Sequence, residues 1–205
     1  MKKLSLILIL ILFTFKAFAE TTYSSDPKMF ISELVNDAIK KLSDKKFSLE
    51  EKKNFIKEIA LENVDINALG LYTLGELRKS TDKNVLIDYQ KVFQKYFLKS
   101  LTSRLTDYSS NKFEVISAEQ KSSSYTIVKS KIISNDNQPE IKINWRVYTK
   151  NSNKPLIRDL IVEGLSLART QKEEFASILN FFFYWWAHQD SNLGPIHYEC
   201  TALTN

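Results

Sequence analysis

The sequence predicts an α+β domain: N-terminal helices packed on a four-stranded antiparallel curved sheet, closed by a C-terminal helix. Three observations lead there. Apolar residues recur at helical spacing through the first half of the chain. The stretch Ile141, Ile143, Trp145 and Val147 alternates with Lys142, Asn144, Arg146 and Tyr148, the period-two pattern of a strand with one apolar face. The strands are joined by connections of hairpin length, which favours antiparallel pairing. Helices followed by strands, without alternation, give α+β rather than α/β.

Residues 1–19 read as a secretory signal. Lys2 and Lys3 open it, Leu4 to Phe15 is apolar, and Ala17-Phe18-Ala19 forms an A-x-A cleavage site before Glu20. The apolar run, about 12 residues, is short of the ~20 needed to span a bilayer. No Cys stands at the cleavage point, so a lipoprotein anchor is not indicated. The formal charge of +5 owes three charges to this segment. The rest is nearly balanced, which gives no reason to expect a nucleic-acid partner. The single Cys excludes an internal disulfide.

The first helix begins at Asp26-Pro27, a cap followed by proline at the first helical position. Phe30, Leu34, Ala38 and Leu42 form its stripe, with Ile31, Val35 and Ile39 beside it. Ser48-Leu49-Glu50-Glu51 is a capping-box pattern, and the helix it starts buries Phe55, Ile56, Ile59 and Ala60. After a break at 63–67, Ile66 to Leu77 reads as helical, with Leu69, Tyr72 and Leu74 apolar; Gly70 and Gly75 weaken it. The longest element runs from Lys83 to Tyr108. Its apolar positions include Val85, Tyr89, Val92, Phe93, Tyr96 and Phe97, spaced by three and four.

Strands are expected over Phe113 to Gln120 and over Ser124 to Ser134, where Tyr125, Ile127, Val128 and Ile132 are apolar. Asn135 to Gln138 turns into the third strand, and Asn151 to Pro155 into the fourth. In that fourth strand, alternation puts Leu156, Arg158, Leu160 and Val162 on one face and Ile157, Asp159, Ile161 and Glu163 on the other. Gly164 ends it at a corner suited to a residue without Cβ. The last helix is expected over Leu165 to Asn180.

Candidates for chemistry are few. No His or Cys lies between residues 20 and 187, which removes Ser-His and Cys-His nucleophile pairs and most zinc sites from the domain. Asp159 and Glu163 could pair as acid and base on one strand face; the plainer reading is a solvated face balanced by Arg158 and Arg169. No Gly-rich phosphate loop is present. What remains is apolar helix surface facing a curved sheet, the kind of surface that suits apolar ligands.

Several motifs, in order, resemble the periplasmic phospholipid-shuttle proteins of the MlaC (toluene-tolerance auxiliary) family. They are Asp26-Pro27 with Phe30, Leu69-Gly70 with Tyr72, and Tyr96 to Leu101. The longest piece is Asn144-Trp145-Arg146-Val147, Ile157-Arg158-Asp159, Glu163-Gly164-Leu165-Ser166-Leu167 and Glu174-Phe175. Lys172 where the family has Arg, and Leu165 where it has Val, are mild departures. The resemblance implies a non-enzymatic carrier, with no cofactor or metal, that holds phospholipid as cargo in an apolar cavity between sheet and helices. The lining it implies is Leu69, Tyr72, Leu74, Phe93 and Phe97 from the helices. From the strands it takes Ile127, Ile143, Trp145, Val147, Leu160 and Val162. It also implies exchange with an inner-membrane ABC lipid transporter complex and an outer-membrane lipoprotein–porin complex, in maintaining outer-membrane lipid asymmetry. A periplasmic monomer is expected, with residues 20–183 as the phospholipid-binding domain. Two other classes stay open: an NTF2-like or cystatin-like enzyme using Asp159 and Glu163, and a structural domain with a solid core. Lipid co-purification separates a carrier from a solid core.

Residues 184–205 break the pattern. They hold no Lys or Arg, yet contain both His, the only Cys and two of the three Trp. His188, His197 and Cys200 lack a fourth ligand and zinc-site spacing, and Phe181 to Trp186 could be an aromatic membrane-interface patch. Back-translation offers a third reading. With free codon choice, 190–195 yields a transfer-RNA T-arm consensus on the opposite strand, 185–189 allows a terminal CCA, and 202–205 resembles a D-arm. The tail therefore reads as translation into an opposed tRNA gene.

Overall fold

The computed structural model describes residues 23–105, 112–133, 139–151 and 153–189, with side chains as far as Phe181. The expected signal at 1–19, the turn at 135–138 and the tail beyond residue 189, with His197 and Cys200, lie outside the described residues.

Helix α1 spans Pro27–Ser43, capped by the Asp26 carboxylate, which accepts from Met29 N at 2.9 Å. Helix α2 spans Leu49–Asn63 and has both capping-box bonds, Ser48 Oγ accepting from Glu51 N and the Glu51 carboxylate from Ser48 N. Helix α3, Ile66–Thr73, is capped by Asp65. Gly75, at φ 55°, turns the chain into the single turn of α4, Leu77–Ser80. Helix α5 covers Lys83–Leu105.

Five strands form one antiparallel sheet in chain order: β1 Lys112–Ser122, β2 Tyr125–Ile133, β3 Ile141–Tyr148, β4 Leu156–Val162 and β5 Leu165–Ser166. The sequence pattern predicts four strands. The fifth occupies the first two positions of the expected last helix, so α6 begins at Leu167 and runs to Gln189. Glu163 and Gly164 both have positive φ, 48° and 86°, and form the two-residue turn that a right-twisted hairpin requires. No atom lies within 4 Å of a Cβ built on Gly164, so the backbone angle rather than crowding selects glycine there.

The core lies between α1 and one face of the sheet. Phe30, Ile31 and Leu34 pack on Val128, Trp145, Val147 and Ile157, and Ile31, Val128 and Val147 are completely buried. Each such aliphatic or aromatic side chain contributes about 1.5–3 kcal/mol when fully buried. Trp145 donates from Nε1 to Ser130 Oγ at 2.8 Å, and Ser130 Oγ donates to Ile143 O at 3.0 Å, so the polar atoms inside this core are satisfied.

The fourth strand departs from simple alternation. Arg146 pairs with Asp159 while Val147 pairs with Ile157, leaving Arg158 as an inserted residue. The bulge shifts the faces. Ile157, Leu160 and Val162 share the α1 face, while Leu156, Asp159 and Ile161 lie on the other. Arg158 also turns to that other face, where its guanidinium stacks 3.5 Å from the Tyr148 ring centroid. The expectation that Leu156 and Arg158 accompany Leu160, and Ile157 accompanies Asp159, is thereby corrected.

Candidate functional site

A second cluster is built where α3, α5 and α6 meet. Phe93 of α5 is its centre, only 3% exposed, with Tyr89, Tyr96, Phe97 and Phe175 around it at ring-centroid separations of 5.9–6.3 Å. Gly70 lets α3 approach: a Cβ at that position would stand 2.9 Å from Phe93 Cδ1. Thr73 Oγ1 bonds to Gly70 O and to Tyr89 Oη, each at 2.7 Å. Burial pushes the Tyr89 phenol above its ordinary range, against the opposing effect of the Thr73 bond.

Beside this cluster a groove of about 340 Å³ opens between the α3–α4 corner and α6. Leu74, Leu77, Ala176 and Leu179 are its apolar residues, with Thr73, Ser80 and Lys172 among the polar ones. The Lys172 ammonium lies 5.3 Å from the Tyr72 ring centroid. A smaller groove of about 260 Å³, near Asp65, Lys154 and Leu156, is more polar.

The expected lining residues fall into separate environments. Trp145 and Val147 are buried in the α1–sheet core, with Ile143 and Leu160 packed against it and Val162 paired to Ile143. Phe93 and Phe97 belong to the helical cluster. Leu74 lines the groove, Leu69 is half-buried in α3, and Tyr72 is exposed next to Lys172. Ile127 pairs with Arg146 and so lies on the sheet face away from α1. The groove residues Leu77, Ala176 and Leu179 were absent from the expected lining. Helical periodicity places them on apolar faces but does not show that those faces meet.

Asp159 is not a solvated carboxylate. It is 4% exposed, accepts from Ser166 Oγ at 2.7 Å and from Ala168 N at 3.0 Å, and has Arg146 Nη1 at 3.7 Å. Ser166 in turn caps α6 by accepting from Arg169 N at 3.1 Å. Glu163 is exposed, and its carboxylate accepts from Lys142 N. Both groups therefore have structural partners. Arg158, expected to balance them, instead meets Asp65 Oδ2 through Nε and Nη2 at 2.8 and 2.7 Å, and Tyr125 Oη at 2.8 Å. Burial works against its charge, but these bonds outweigh that effect and raise its pKa. Among the described residues no group of His, Cys, Asp and Glu could hold a metal, and no helix is long and apolar enough to cross a membrane.

The architecture has known counterparts. The solved structure of a phospholipid-binding protein from Ralstonia solanacearum, in complex with a phospholipid, matches with a TM-score of 0.60 at 14% identity. The match covers 73% of this chain and 85% of that one. At this identity the likeness establishes a shared fold. No curated protein matches the chain. The family model described as MlaC protein matches residues 32–181, most of the chain, and the chain therefore belongs to the MlaC family.

Proposed function

We propose that this protein binds phospholipid and carries it through the periplasm between the two membranes of a bacterial envelope. Membership of the MlaC family over residues 32–181 is the observation that carries this reading. The phospholipid held by the Ralstonia solanacearum protein of the same fold supports it. The chemistry agrees. Asp159 and Glu163 are engaged in capping and turn contacts, while apolar surface is gathered where α3, α5 and α6 meet. Burying an acyl chain releases about 0.8 kcal/mol per methylene, so a carrier needs apolar space rather than a reactive group.

The acyl chains enter at the groove between the α3–α4 corner and α6. Its volume, about 340 Å³, is near the lower end of ligand pockets, which run from ~300 to ~1,000 Å³. A diacyl lipid exceeds it, so loading moves α6 away from α3 and widens the space beside Phe93. The core between α1 and the sheet stays packed. The carrier exchanges cargo with an inner-membrane ABC lipid transporter and an outer-membrane lipoprotein–porin complex, and so maintains outer-membrane lipid asymmetry. Export through the segment 1–19 delivers it to that compartment.

Mass spectrometry of protein purified without detergent tests the reading. About one phospholipid per molecule is expected, and Ala176→Trp, which fills the groove, lowers that content while the protein stays folded. Folded wild-type protein with no extractable lipid defeats it.

A further inference from the structure

Helix α5 is apolar over a wider arc than its packing uses. Phe93 is buried, but Val85, Val92 and Tyr96 are 57%, 65% and 44% exposed. Their spacings of seven and four residues stack them on one stripe. The stripe crosses to α6 through the Tyr96–Phe175 contact, ring centroids 5.6 Å apart, and continues to Ile178, which is 54% exposed. Gln171 Nε2 donates to Tyr96 Oη at 3.0 Å and ties the two helices at this surface. Exposed aliphatics gathered in one place mark an interaction surface more often than scattered ones do.

Charge beside the stripe indicates what covers it. Asp88 lies four residues before Val92 on the same stripe; Lys95, three residues after Val92, borders the stripe, and Lys99, seven after it, ends it. Both lysines are exposed, and neither has a carboxylate within ion-pair distance among the described residues, whereas Lys91 is paired with Asp88 at 2.9 Å. Protein interfaces are depleted in lysine at their centres. Helices that lie on membranes instead set lysines beside an apolar stripe, where ammonium groups meet anionic headgroups as the stripe enters the acyl boundary.

We propose that this α5–α6 face docks on the anionic surface of a phospholipid bilayer. On α6, Phe175 and Ile178 of the docking face interleave with Ala176 and Leu179 of the groove wall. Docking thus sets the groove beside the headgroup layer. The inference rests on the exposed face alone and stands independently of whether the groove carries lipid.

Vesicle co-sedimentation of the purified protein tests it. Vesicles of phosphatidylethanolamine with phosphatidylglycerol should bring the protein down, vesicles of phosphatidylcholine alone should not, and raised salt should release it. Val92→Glu removes apolar contact and adds a repelling charge. Lys95→Gln with Lys99→Gln removes two attractions. Each variant is expected to lower partitioning by at least about tenfold, since two lysines near such a surface together contribute more than that. All three positions are exposed, and circular dichroism checks that both variants fold. Wild-type protein that ignores anionic vesicles, or either folded variant sedimenting as wild type does, overturns the proposal. Retention on immobilised polyglutamate without vesicle binding would assign the lysines to an acidic protein partner and overturn it equally. Absence of bound cargo defeats the carrier reading alone, because vesicle binding is measured separately.

Discussion

The Asp159 carboxylate, from the middle of β4, accepts the Ala168 amide of α6 at 3.0 Å. A strand residue thereby satisfies one of the amides that a helix start leaves unpaired. Its second oxygen accepts from Ser166, which caps the same helix. The contact fixes where α6 leaves the sheet, and α6 forms one wall of the groove.

Asp159→Ala should destabilise the protein by about 1–3 kcal/mol, the cost of stranding buried hydrogen-bond partners. Asp159→Asn keeps an acceptor for Ala168 and should cost less. Hydrogen exchange at the Ala168 amide is the direct readout. Unchanged protection in Asp159→Ala would show that the cap does not hold the helix start.

Gly70→Ala separates propensity from packing. In an unencumbered helix the change stabilises by roughly 0.5–1 kcal/mol. Here the added methyl would stand 2.9 Å from Phe93, whose ring is enclosed by Tyr89, Tyr96, Phe97 and Phe175. Overpacking costs about 1–3 kcal/mol, so net destabilisation is expected. A rise in midpoint on denaturant unfolding would mean that α3 and α5 separate easily.

Asp65 caps α3 through Ala68 N at 3.1 Å and pairs with Arg158. Asp65→Ser keeps a capping oxygen and loses the ion pair; Asp65→Ala loses both. Ala should therefore be the less stable by about 0.5–2 kcal/mol, the value of an N-cap. Equal unfolding midpoints would assign the whole contribution to Arg158.

Val147→Glu tests whether the sheet face is solid. Val147 has no exposed surface and is enclosed by the α1 core. An unpaired carboxylate there costs several kcal/mol or is forced to protonate. Loss of the folded circular dichroism spectrum is expected. A folded variant that loses only its lipid would instead place Val147 at a cavity wall.

The readable features share a local cause. The first helix and its proline start, the Ser48 capping box, the alternation through β3 and the end of β4 before Gly164 all depend on residues a few positions apart. Such patterns are written in one stretch of chain. The family motifs added the fold, because they follow that same order. The last helix starts two residues later than its apolar pattern indicates, since Leu165 and Ser166 pair with β4 before the helix begins.

Three things required the assembled molecule. An inserted residue at Arg158 exchanges the faces of Leu156 and Ile157 while Leu160 and Val162 keep theirs, and strict alternation has no means of signalling a bulge. The apolar arc of α5 is evenly marked in sequence, yet Phe93 is buried and Tyr96 reaches α6 while Val85 and Val92 are left outside. Asp159 reads as a surface carboxylate until α6 is laid over it. By itself the sequence determined the identity and local periodicity of nearly every element, because backbone geometry and amphipathicity act over one or two turns. Only the tertiary structure decided register, the choice among apolar faces and the partner of each charge, because those depend on which distant segments meet.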